Sequence, residues 1–339
     1  MRAWVVARPG PVDGGPLRPV RRVLPEPGPG QVRVRVSTCG VCRTDLHLAE
    51  GELPPVRPDV TPGHEVVGVV EARGPGAVRF PVGERVGVPW LGGTDSSCRF
   101  CRRGAENLCL QPTFTGWHVD GGYAEACLVR EEYAYALPAG VDDEQAAPLL
   151  CAGIIGYRAL RAAAVPPGGR LGIYGFGGSA HLAAQLALAE GMRVHVRTRG
   201  EGNRRLALRL GADSAGESAD PVPEPLDGAV LFAPAGELVP VALRALDRGG
   251  TLAVAGIWLS AVPGLTYADE LFQERRLRSV TANTRADGEE FLTLAARHRI
   301  TATTVPYAFD RADEALRDLA HGRFSGAAVL HVGSAAGRP

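Results

Sequence analysis

The sequence lacks any bias of charge. Its 37 Lys and Arg residues are balanced by 37 Asp and Glu residues, so its formal net charge is +0. A neutral chain gives no electrostatic reason to expect nucleic acid or an anionic membrane as its main partner, and we expect neither. A run of about 18 apolar residues, which would indicate a transmembrane helix, is also missing. Small molecules therefore remain the expected partners.

Targeting signals and repeats are lacking as well. The apolar segment in the opening stretch MRAWVVARPGPVDGG is too short to form the hydrophobic core of a secretory signal, and the stretch has no cleavage site. The sequence shows no internal repeat, and its biased stretches are limited to the turns PEPGPG and PVPEP. We therefore expect a cytoplasmic protein.

Cysteine is scarce, with 7 residues in a chain of 339, and the number is odd. Three of the seven, Cys98, Cys101 and Cys109, lie within twelve residues. In a chain of this size, such a cluster favours metal binding over a disulfide framework. The length and the 45% apolar content predict two globular domains.

The pattern of predicted secondary structure changes near residue 150. From 31 to about 138, short β-type runs such as QVRVRVSTCG and HEVVGVVEARG alternate with Gly and Pro, which predicts an antiparallel, barrel-like domain. From about 150 to 284, strands alternate with helices, and the strands include RLRSVTAN, which we expect to be buried. This alternation predicts an α/β domain with a parallel, doubly wound sheet. The tail returns to strand, helix and strand and is expected to pack on the first domain.

A glycine-rich turn follows the first strand of the second domain. The motif GFGGSA, formed by Gly175, Gly177, Gly178 and Ala180 with their neighbours, matches G-x-G-x-x-G/A between a strand and a helix. The glycines permit a tight turn and close approach of a pyrophosphate to the helix N-terminus. The motif predicts dinucleotide binding, and the alternative is a glycine-rich turn in another kind of α/β protein.

The residue expected to recognise the cofactor ribose is not acidic here. The second strand ends in VHVRTRG, which puts Thr198 at the position of the usual carboxylate, between Arg197 and Arg199. Arg199, with Arg204 or Arg205, could pair with a 2′-phosphate. We therefore favour NADP(H) over NAD(H). The alternative is that these arginines belong to an ordinary solvated loop.

Three separate segments carry candidate metal ligands: CGVCRTDLH from Cys39, PGHE from Pro62 and PLLCAG from Pro148. Two thiolates and an imidazole would form a Cys₂His zinc site with an open fourth position. With these motifs, the chain resembles the zinc-dependent alcohol dehydrogenases of the medium-chain dehydrogenase/reductase superfamily, nearly from end to end. The resemblance implies a GroES-like, β-barrel-type catalytic domain over 1–149, a Rossmann domain over 150–284 and a C-terminal segment over 285–339 that returns to the catalytic domain.

The resemblance also implies the roles of individual residues. Cys42, His64 and Cys151 would bind the catalytic zinc, while Cys39 would be a buried bystander. The remaining residues around the reaction would be Thr44 at the substrate hydroxyl, Asp45 orienting His64, His47 at the end of a proton relay, Glu65 near the metal, and Arg43 and Arg285 at the cofactor pyrophosphate. Hydride would pass between an alcohol or carbonyl carbon and the nicotinamide.

The family's second, structural zinc is held by four cysteines spaced C-x₂-C-x₂-C-x₇-C. Here the first position is Asp95, followed by Cys98, Cys101 and Cys109. Carboxylate oxygen is an accepted zinc ligand, so we expect a Cys₃Asp site and two zinc ions per chain. The alternative is a site that has lost its metal, because thiolate suits zinc better than carboxylate does.

The substrate wall is implied by the resemblance at Trp90 and Leu91, to which Trp117 or Trp258 could add; these last two could equally be core or interface residues. Apolar walls favour primary or secondary alcohols with hydrophobic tails, or the matching aldehydes and ketones. A homodimer or homotetramer is typical of the family. Two other functions compete: a zinc-independent quinone or enoyl reductase of the same superfamily, and a zinc-ribbon interaction module carried by residues 98–109.

Overall fold

In the computed structural model, which describes residues 1–333, the N-terminal part is built from short strands joined by long loops. Its strands and helices are β1 (Arg2–Val6), β2 (Leu17–Arg21), β3 (Gln31–Val41), α1 (Arg43–Glu50), β4 (Val66–Arg73), β5 (Arg85–Val88), β6 (Leu91–Gly93), β7 (Thr113–Phe114), β8 (Ala126–Arg130), β9 (Tyr135–Ala136) and α2 (Asp143–Pro148). A π-helical segment, Leu149–Gly153, follows α2.

The longest strand shows why this part forms a sheet. In β3, Val32, Val34 and Val36 are buried and alternate with arginines that are at least partly exposed. Such alternation places one face of a strand on a core. β3 pairs antiparallel with β4 on one side and with β8 on the other, and β4 continues to β5 and β9.

The following part of the chain alternates helix and strand. Its elements are α3 (Ile154–Ala163), β10 (Arg170–Tyr174), α4 (Gly178–Ala189), β11 (Arg193–Arg197), α5 (Glu201–Arg209), β12 (Ser214–Gly216), β13 (Leu226–Leu231), α6 (Leu238–Ala245), β14 (Leu246–Val254), α7 (Tyr267–Glu270) and β15 (Arg276–Ser279). The strands form one sheet in the order β12-β11-β10-β13-β14-β15, and every pair is parallel. The predicted parallel, doubly wound sheet is confirmed.

One expectation for this sheet is wrong. The run RLRS was predicted as a buried strand, but all four residues of β15 are exposed. β15 lies at the edge of the sheet, so it has a neighbouring strand on one side only. An edge position leaves one row of backbone groups and the side chains beside it open to solvent.

The last elements are α8 (Arg285–His298), β16 (Thr304–Ala308), α9 (Ala312–Ala320) and β17 (Ala327–His331). β17 pairs antiparallel with β3, and β16 pairs parallel with β17. Residues 1–333 thus divide into two compact units: residues 1–151, 282–292 and 302–333 form the first, and residues 152–281 and 293–301 form the second. No helix within residues 1–333 is long and apolar enough to cross a membrane.

Candidate metal centres and nucleotide site

Four side chains from three segments of the first unit converge on one point. Cys42 caps the N-terminus of α1, His64 and Glu65 directly precede β4, and Cys151 lies in the π-helical segment. One potential ligand atom from each lies within 4.8 Å of those of the other three. π-helical turns are frequent at functional sites because they reorient a side chain within a helix. The ligand set predicted from the sequence is therefore brought together.

His64 is a buried imidazole with unmet bonding capacity. It is 1% exposed, and neither ring nitrogen has an aligned hydrogen-bond partner within residues 1–333. Nδ1 lies 3.2 Å from Oδ1 of Asp45. Within residues 1–333, no ion-pair contact of this kind is made by Nε2. Buried polar atoms are normally satisfied, so an orphaned nitrogen beside two thiols is the donor arrangement of a metal site.

Asp45 is the buried carboxylate that organises this site. Its Oδ1 accepts a hydrogen bond of 2.9 Å from the backbone amide of Gly63, and its Oδ2 accepts one of 3.0 Å from the amide of Cys42. The Tyr123 hydroxyl adds a contact of 3.4 Å to Oδ2. These bonds connect the start of α1 with the turn that carries His64. Asp45 thereby fixes two ligand segments relative to each other.

The ionisation of the ligands favours a cation. The Cys151 thiol donates to the sulfur of Cys42, and this bond, together with His64, lowers the pKa of Cys42 although burial opposes the shift. The same bond and burial raise the pKa of Cys151. Burial disfavours protonation of His64, but Asp45 and Cys42 outweigh it and raise its pKa. The centre therefore stabilises positive charge, as a site for a divalent metal must.

Two glycines permit this convergence. Gly63 has φ +99°, and a Cβ there would lie 2.5 Å from Tyr123 Cδ1 and 2.8 Å from Cys39 Sγ. A Cβ on Gly40 would lie 1.8 Å from a carboxylate oxygen of Glu65. Any larger residue at either position would displace a ligand segment. Cys39 itself is fully buried and belongs to neither metal-ligand group of the described chain.

The residues predicted to handle the substrate proton lie on α1. Thr44 is buried, and its hydroxyl is 3.8 Å from Cys42 Sγ. His47 lies one turn further along the helix, and its Nδ1 is held by the carboxylate of Glu52. Arg43, on the same helix, is exposed.

An aromatic cluster lies against the ligand group. The ring of Trp90 is 4.8 Å from that of His64 and stacks on Phe114 at 4.7 Å and Trp117 at 6.1 Å. His118 completes the cluster through an edge contact of 4.3 Å with Trp117. Sequence reasoning missed Phe114 and His118.

The other predicted wall residues have different surroundings. Leu91 is only 1% exposed, so its side chain lies in the core. Trp258, in the second unit, is 47% exposed and is therefore not a core residue.

A second group of four potential metal ligands lies in the loop between β6 and β7. The ligand atoms of Asp95, Cys98, Cys101 and Cys109 lie within 4.8 Å of one another. The sulfur of Cys109 accepts hydrogen bonds of 3.3 and 3.4 Å from the amides of Asp95 and Gln111. These two bonds hold the sulfur of Cys109 in place within the group.

Asp95 takes the place of a cysteine in this loop. Its Oδ1 accepts hydrogen bonds of 2.9 Å from the amides of Ser97 and Cys98. These two bonds lower the pKa of Asp95 to about 2. Asp95 is therefore an anion at neutral pH whose other oxygen remains available to a metal.

The glycine-rich turn of the second unit has the predicted form. Gly175 has φ +87°, and a Cβ there would lie 2.7 Å from the amide nitrogen of Ala233, so only glycine is accommodated. Gly177 caps α4, and a Cβ there would meet nothing within 4 Å. Ala180, in the first turn of α4, is fully buried. Open space in front of a helix N-terminus suits a phosphate group.

Two buried residues at the end of β11 make different hydrogen bonds. Thr198 is buried, and its hydroxyl accepts a bond of 3.2 Å from the amide of Phe176 in the glycine-rich turn. Arg197 is also buried and donates to the carbonyls of Val196, Asp220 and Pro221, so it is a structural residue.

The exposed arginines of this segment are not equivalent. Arg204 pairs with Glu217, and Arg205 pairs with Glu201, whereas Arg199 is exposed at the strand end. Arg199 is therefore the arginine that can reach a ligand without breaking an ion pair.

Arg285 is held within the first unit at the start of α8. Its guanidinium donates to both oxygens of Glu106 at 2.8 to 3.1 Å, and its backbone amide donates to the same carboxylate at 2.6 Å. The guanidinium also lies over the Tyr133 ring at 4.7 Å. Glu106 raises the pKa of Arg285. Glu106 was not among the residues singled out from the sequence.

A parallel sheet with a glycine-rich turn and a Cys–His ligand group in the same chain is typical of a nucleotide-dependent dehydrogenase with a metal centre. Comparisons with known proteins agree. Residues 28–139 match the family model of the alcohol dehydrogenase GroES-like domain. The chain is 57% identical over 337 residues to the probable alcohol dehydrogenase AdhA of Mycobacterium tuberculosis, covering 98% of this chain and 97% of that protein.

Three solved structures extend this similarity over the whole fold. CAD from Helicobacter pylori, complexed with NADP(H), has 26% identity and a TM-score of 0.86, covering 98% of this chain and 99% of that one. Acetophenone reductase from Geotrichum candidum, in complex with NAD, has 27% identity and a TM-score of 0.88, with coverages of 98% and 97%. A cobalt- and zinc-bound alcohol dehydrogenase from Pyrobaculum aerophilum has 27% identity and a TM-score of 0.87, with coverages of 98% and 99%.

The chain belongs to the alcohol dehydrogenase family of the medium-chain dehydrogenase/reductase superfamily. It is an oxidoreductase that acts on alcohols and carbonyl compounds.

Proposed function

We propose that the protein is a zinc-dependent alcohol dehydrogenase and carbonyl reductase whose catalytic zinc is bound by Cys42, His64 and Cys151. The observation that carries this proposal is the convergence of two thiols on a buried imidazole whose ring nitrogens have no aligned hydrogen-bond partner within residues 1–333. When bound, zinc would act as a Lewis acid on the substrate oxygen and make loss of the hydroxyl proton accessible near neutral pH. A zinc-independent reductase would have no use for this ligand group.

The surrounding residues prepare the reaction. Asp45 orients His64, and a carboxylate oxygen of Glu65 lies within 4.8 Å of the ligand atoms of Cys42, His64 and Cys151, so it would lie beside a bound zinc ion. The Thr44 hydroxyl receives the substrate proton during alcohol oxidation, and His47, one turn further along α1, passes it towards solvent. The aromatic cluster of Trp90, Phe114 and Trp117 excludes water and offers flat apolar faces. We therefore expect alcohols, aldehydes and ketones with bulky or aromatic substituents as substrates.

The cofactor proposed is NADP(H) in preference to NAD(H). Thr198 supplies no carboxylate to repel a 2′-phosphate, and Arg199 is exposed to pair with one. Similar proteins have been solved with either cofactor, so this preference depends on the two residues. The assignment of Arg43 and Arg285 to the pyrophosphate stays a prediction, since Arg285 is already paired with Glu106.

A second zinc is proposed at Asp95, Cys98, Cys101 and Cys109. Support comes from the ionised Asp95 carboxylate and the amide bonds to the Cys109 sulfur. Within residues 1–333, which include all seven cysteines, every cysteine is a free thiol. Free thiols and thiolate-rich metal sites persist in a reducing compartment, so we also propose a cytoplasmic location.

We also propose that the protein forms a homodimer or a homotetramer, and the support for this comes from the surface of the second unit. The edge strand β15 is exposed along its whole length. The strand itself exposes Leu277, and the segment leading into it also exposes large apolar side chains, which are Ile257, Trp258, Val262, Tyr267 and Phe272. An uncovered strand edge with apolar surroundings is a typical subunit interface.

The test of the enzymatic proposal is a panel of alcohols and carbonyls assayed with NAD(H) and NADP(H), followed by absorbance of the reduced nicotinamide. We expect activity that chelation abolishes and zinc restores. Cys151→Ser should lose the catalytic zinc in metal analysis and lose activity, while Cys127→Ser, at a buried cysteine outside both ligand groups, should retain both. Full activity in zinc-free protein would refute the proposal.

A further inference from the structure

The connection between β12 and β13 differs from the others in the parallel sheet. The chain leaves β12 at one edge of the sheet and passes β11 and β10 before it enters β13. In the described part of the chain, each of the other four connections of this sheet contains a helix, whereas residues 217–225 contain none. Parallel sheets are normally covered by helices on both faces. The face that this connection crosses is therefore incompletely covered.

A cavity of about 730 Å³ lies on this face, within the second unit. Residues 219–225 form one wall, which includes Val222 and three prolines, and the end of α6 forms another with Val241 and Ala245. Tyr174 belongs to the same core cluster as α6 and also lines the cavity. Small-molecule sites are cavities of roughly 300–1,000 Å³ with mostly apolar walls and a few polar groups. The size and the lining therefore suit a small aromatic molecule.

Tyr174, the last residue of β10, brings an unused hydrogen-bond donor to the cavity. The residue is 1% exposed, and its hydroxyl has no hydrogen-bond partner within residues 1–333. Burial raises the pKa of Tyr174 to about 12 although Arg197 opposes the shift, so the hydroxyl keeps its proton at neutral pH. Buried hydroxyl groups normally have a partner, because an unmet hydrogen bond costs free energy. A ligand with an acceptor atom would supply that partner.

The charges around the cavity favour an anionic ligand. Arg275 donates to the carbonyl of Asp269 at 2.5 Å and forms no ion pair with any residue of 1–333. Asp220 forms no ion pair there either, but the guanidinium of Arg197 donates to its carbonyl oxygen at 3.1 Å and lies beside it. The other charged residues of the lining are already paired, as Arg244–Glu270, Glu224–Arg193 and Asp247–Arg170. Arg275 is therefore free to pair with an anion.

We propose that this cavity is an accessory binding site for a small aromatic carboxylate. The aromatic ring packs between the proline-containing wall of residues 219–225 and Val241 of α6. The carboxylate accepts a hydrogen bond from the Tyr174 hydroxyl and pairs with the guanidinium of Arg275. The site contains no residue of either metal-ligand group, and the inference goes beyond the proposed function.

The probe for this site is 4-fluorobenzoate, titrated into the whole protein and followed by ¹⁹F NMR. A ligand of about ten non-hydrogen atoms should bind with a Kd on the order of 1 mM. 4-Fluorobenzamide keeps the ring but lacks the charge, so it should bind about tenfold more weakly. 4-Fluorobenzylamine, which carries the opposite charge, should show no measurable binding.

Two substitutions separate the hydrogen bond from the charge. Tyr174→Phe removes only the hydroxyl and should raise the Kd of 4-fluorobenzoate about tenfold. The melting temperature of this variant without ligand should equal or exceed that of the wild type, because the hydroxyl makes no bond in the folded chain. Arg275→Gln should raise the Kd about threefold, since solvent screens a partly exposed ion pair.

The matched controls lie outside the cavity. Tyr267→Phe removes the hydroxyl of an exposed tyrosine, and Arg276→Gln removes the charge of an exposed arginine next to Arg275. Both controls should keep the wild-type Kd. Cys151→Ser should also keep it, which separates this site from the proposed zinc centre.

Three results would overturn the inference and leave the proposed function intact. The first is no binding of 4-fluorobenzoate at concentrations well above the expected Kd. The second is a wild-type Kd in both Tyr174→Phe and Arg275→Gln, because the probe would then bind elsewhere. The third is loss of binding in Cys151→Ser, which would assign the probe to the metal centre. If Tyr174→Phe does not fold, the result for Arg275→Gln decides.

Discussion

Replacement of Asp45 by Asn tests how the catalytic metal site is held together. The carboxylate accepts the Gly63 amide on Oδ1 and the Cys42 amide on Oδ2, and it is 1% exposed. Asn has one oxygen and one NH₂ group. Whichever way the amide is oriented, its NH₂ group faces one of the two backbone donors and leaves that donor without an acceptor.

The magnitude follows from that lost acceptor. An unsatisfied buried donor costs about 1–3 kcal/mol, and the remaining bonds lose the strength of a charged acceptor. We expect Asp45→Asn to lower the free energy of unfolding by about 2–4 kcal/mol. Zinc affinity should fall about 10- to 100-fold, because His64 loses the partner that orients its ring.

The assay is zinc retention against a graded chelator, combined with thermal unfolding. The control is Asp120→Asn, whose carboxylate also has several partners, including Arg22 and the amide of Thr61, but contacts no metal ligand. The control should lose stability without losing zinc. Wild-type zinc retention and wild-type melting in Asp45→Asn would refute the reasoning.

Three further predictions concern the second metal, the cofactor and the substrate. Asp95→Ser should lower the metal content by one zinc per chain while the other remains, as measured by elemental analysis; an unchanged content would exclude Asp95 as a ligand. Arg199→Ala should raise the KM for NADP(H) about tenfold and leave that for NAD(H) unchanged; a wild type that already prefers NAD(H) would contradict this. Trp90→Ala should lower kcat/KM for aromatic relative to short alcohols about tenfold, while Trp258→Ala should leave that ratio unchanged.

The elements that the sequence predicted are those with strong local signals. Alternation of valine and arginine identifies β3, and a glycine-rich turn between a strand and an Ala/Leu-rich stretch identifies β10 and α4. Gly175 could be assigned because its motif states a steric requirement, which the structure reproduces as φ +87°. Such features depend on neighbours in the chain and can therefore be recognised without knowledge of the fold.

The features that escaped prediction depend on distant pairing. Phe114 joins Trp90 only because the short strands β6 and β7 pair, bringing together residues that are far apart in the chain. The pairing of β1 with β2 also escaped prediction, because both strands are short and β2 contains a proline. Trp4 of β1 donates a hydrogen bond to the carbonyl of Phe309, which lies far away in the chain. Neither case leaves a periodic pattern in the sequence.

Burial was the property that sequence reasoning judged least well. The run RLRS has strand character, but only the sheet order shows that it lies at an edge. Arg197 and Arg199 flank Thr198 in the sequence, yet Arg199 is exposed whereas carbonyl groups from a later loop surround Arg197 and bury it. The charge of a side chain and its secondary-structure propensity do not predict which distant residues will surround it in the folded protein.

The proposed function depends on one metal ion bound by Cys42, His64 and Cys151. The most direct measurement is anomalous diffraction at the zinc absorption edge from crystals of the protein purified with its native metal. We expect an anomalous peak about 2.3 Å from both sulfurs and about 2.1 Å from Nε2 of His64. Absence of a peak among these three residues, while a peak appears in the Asp95 loop, would contradict it.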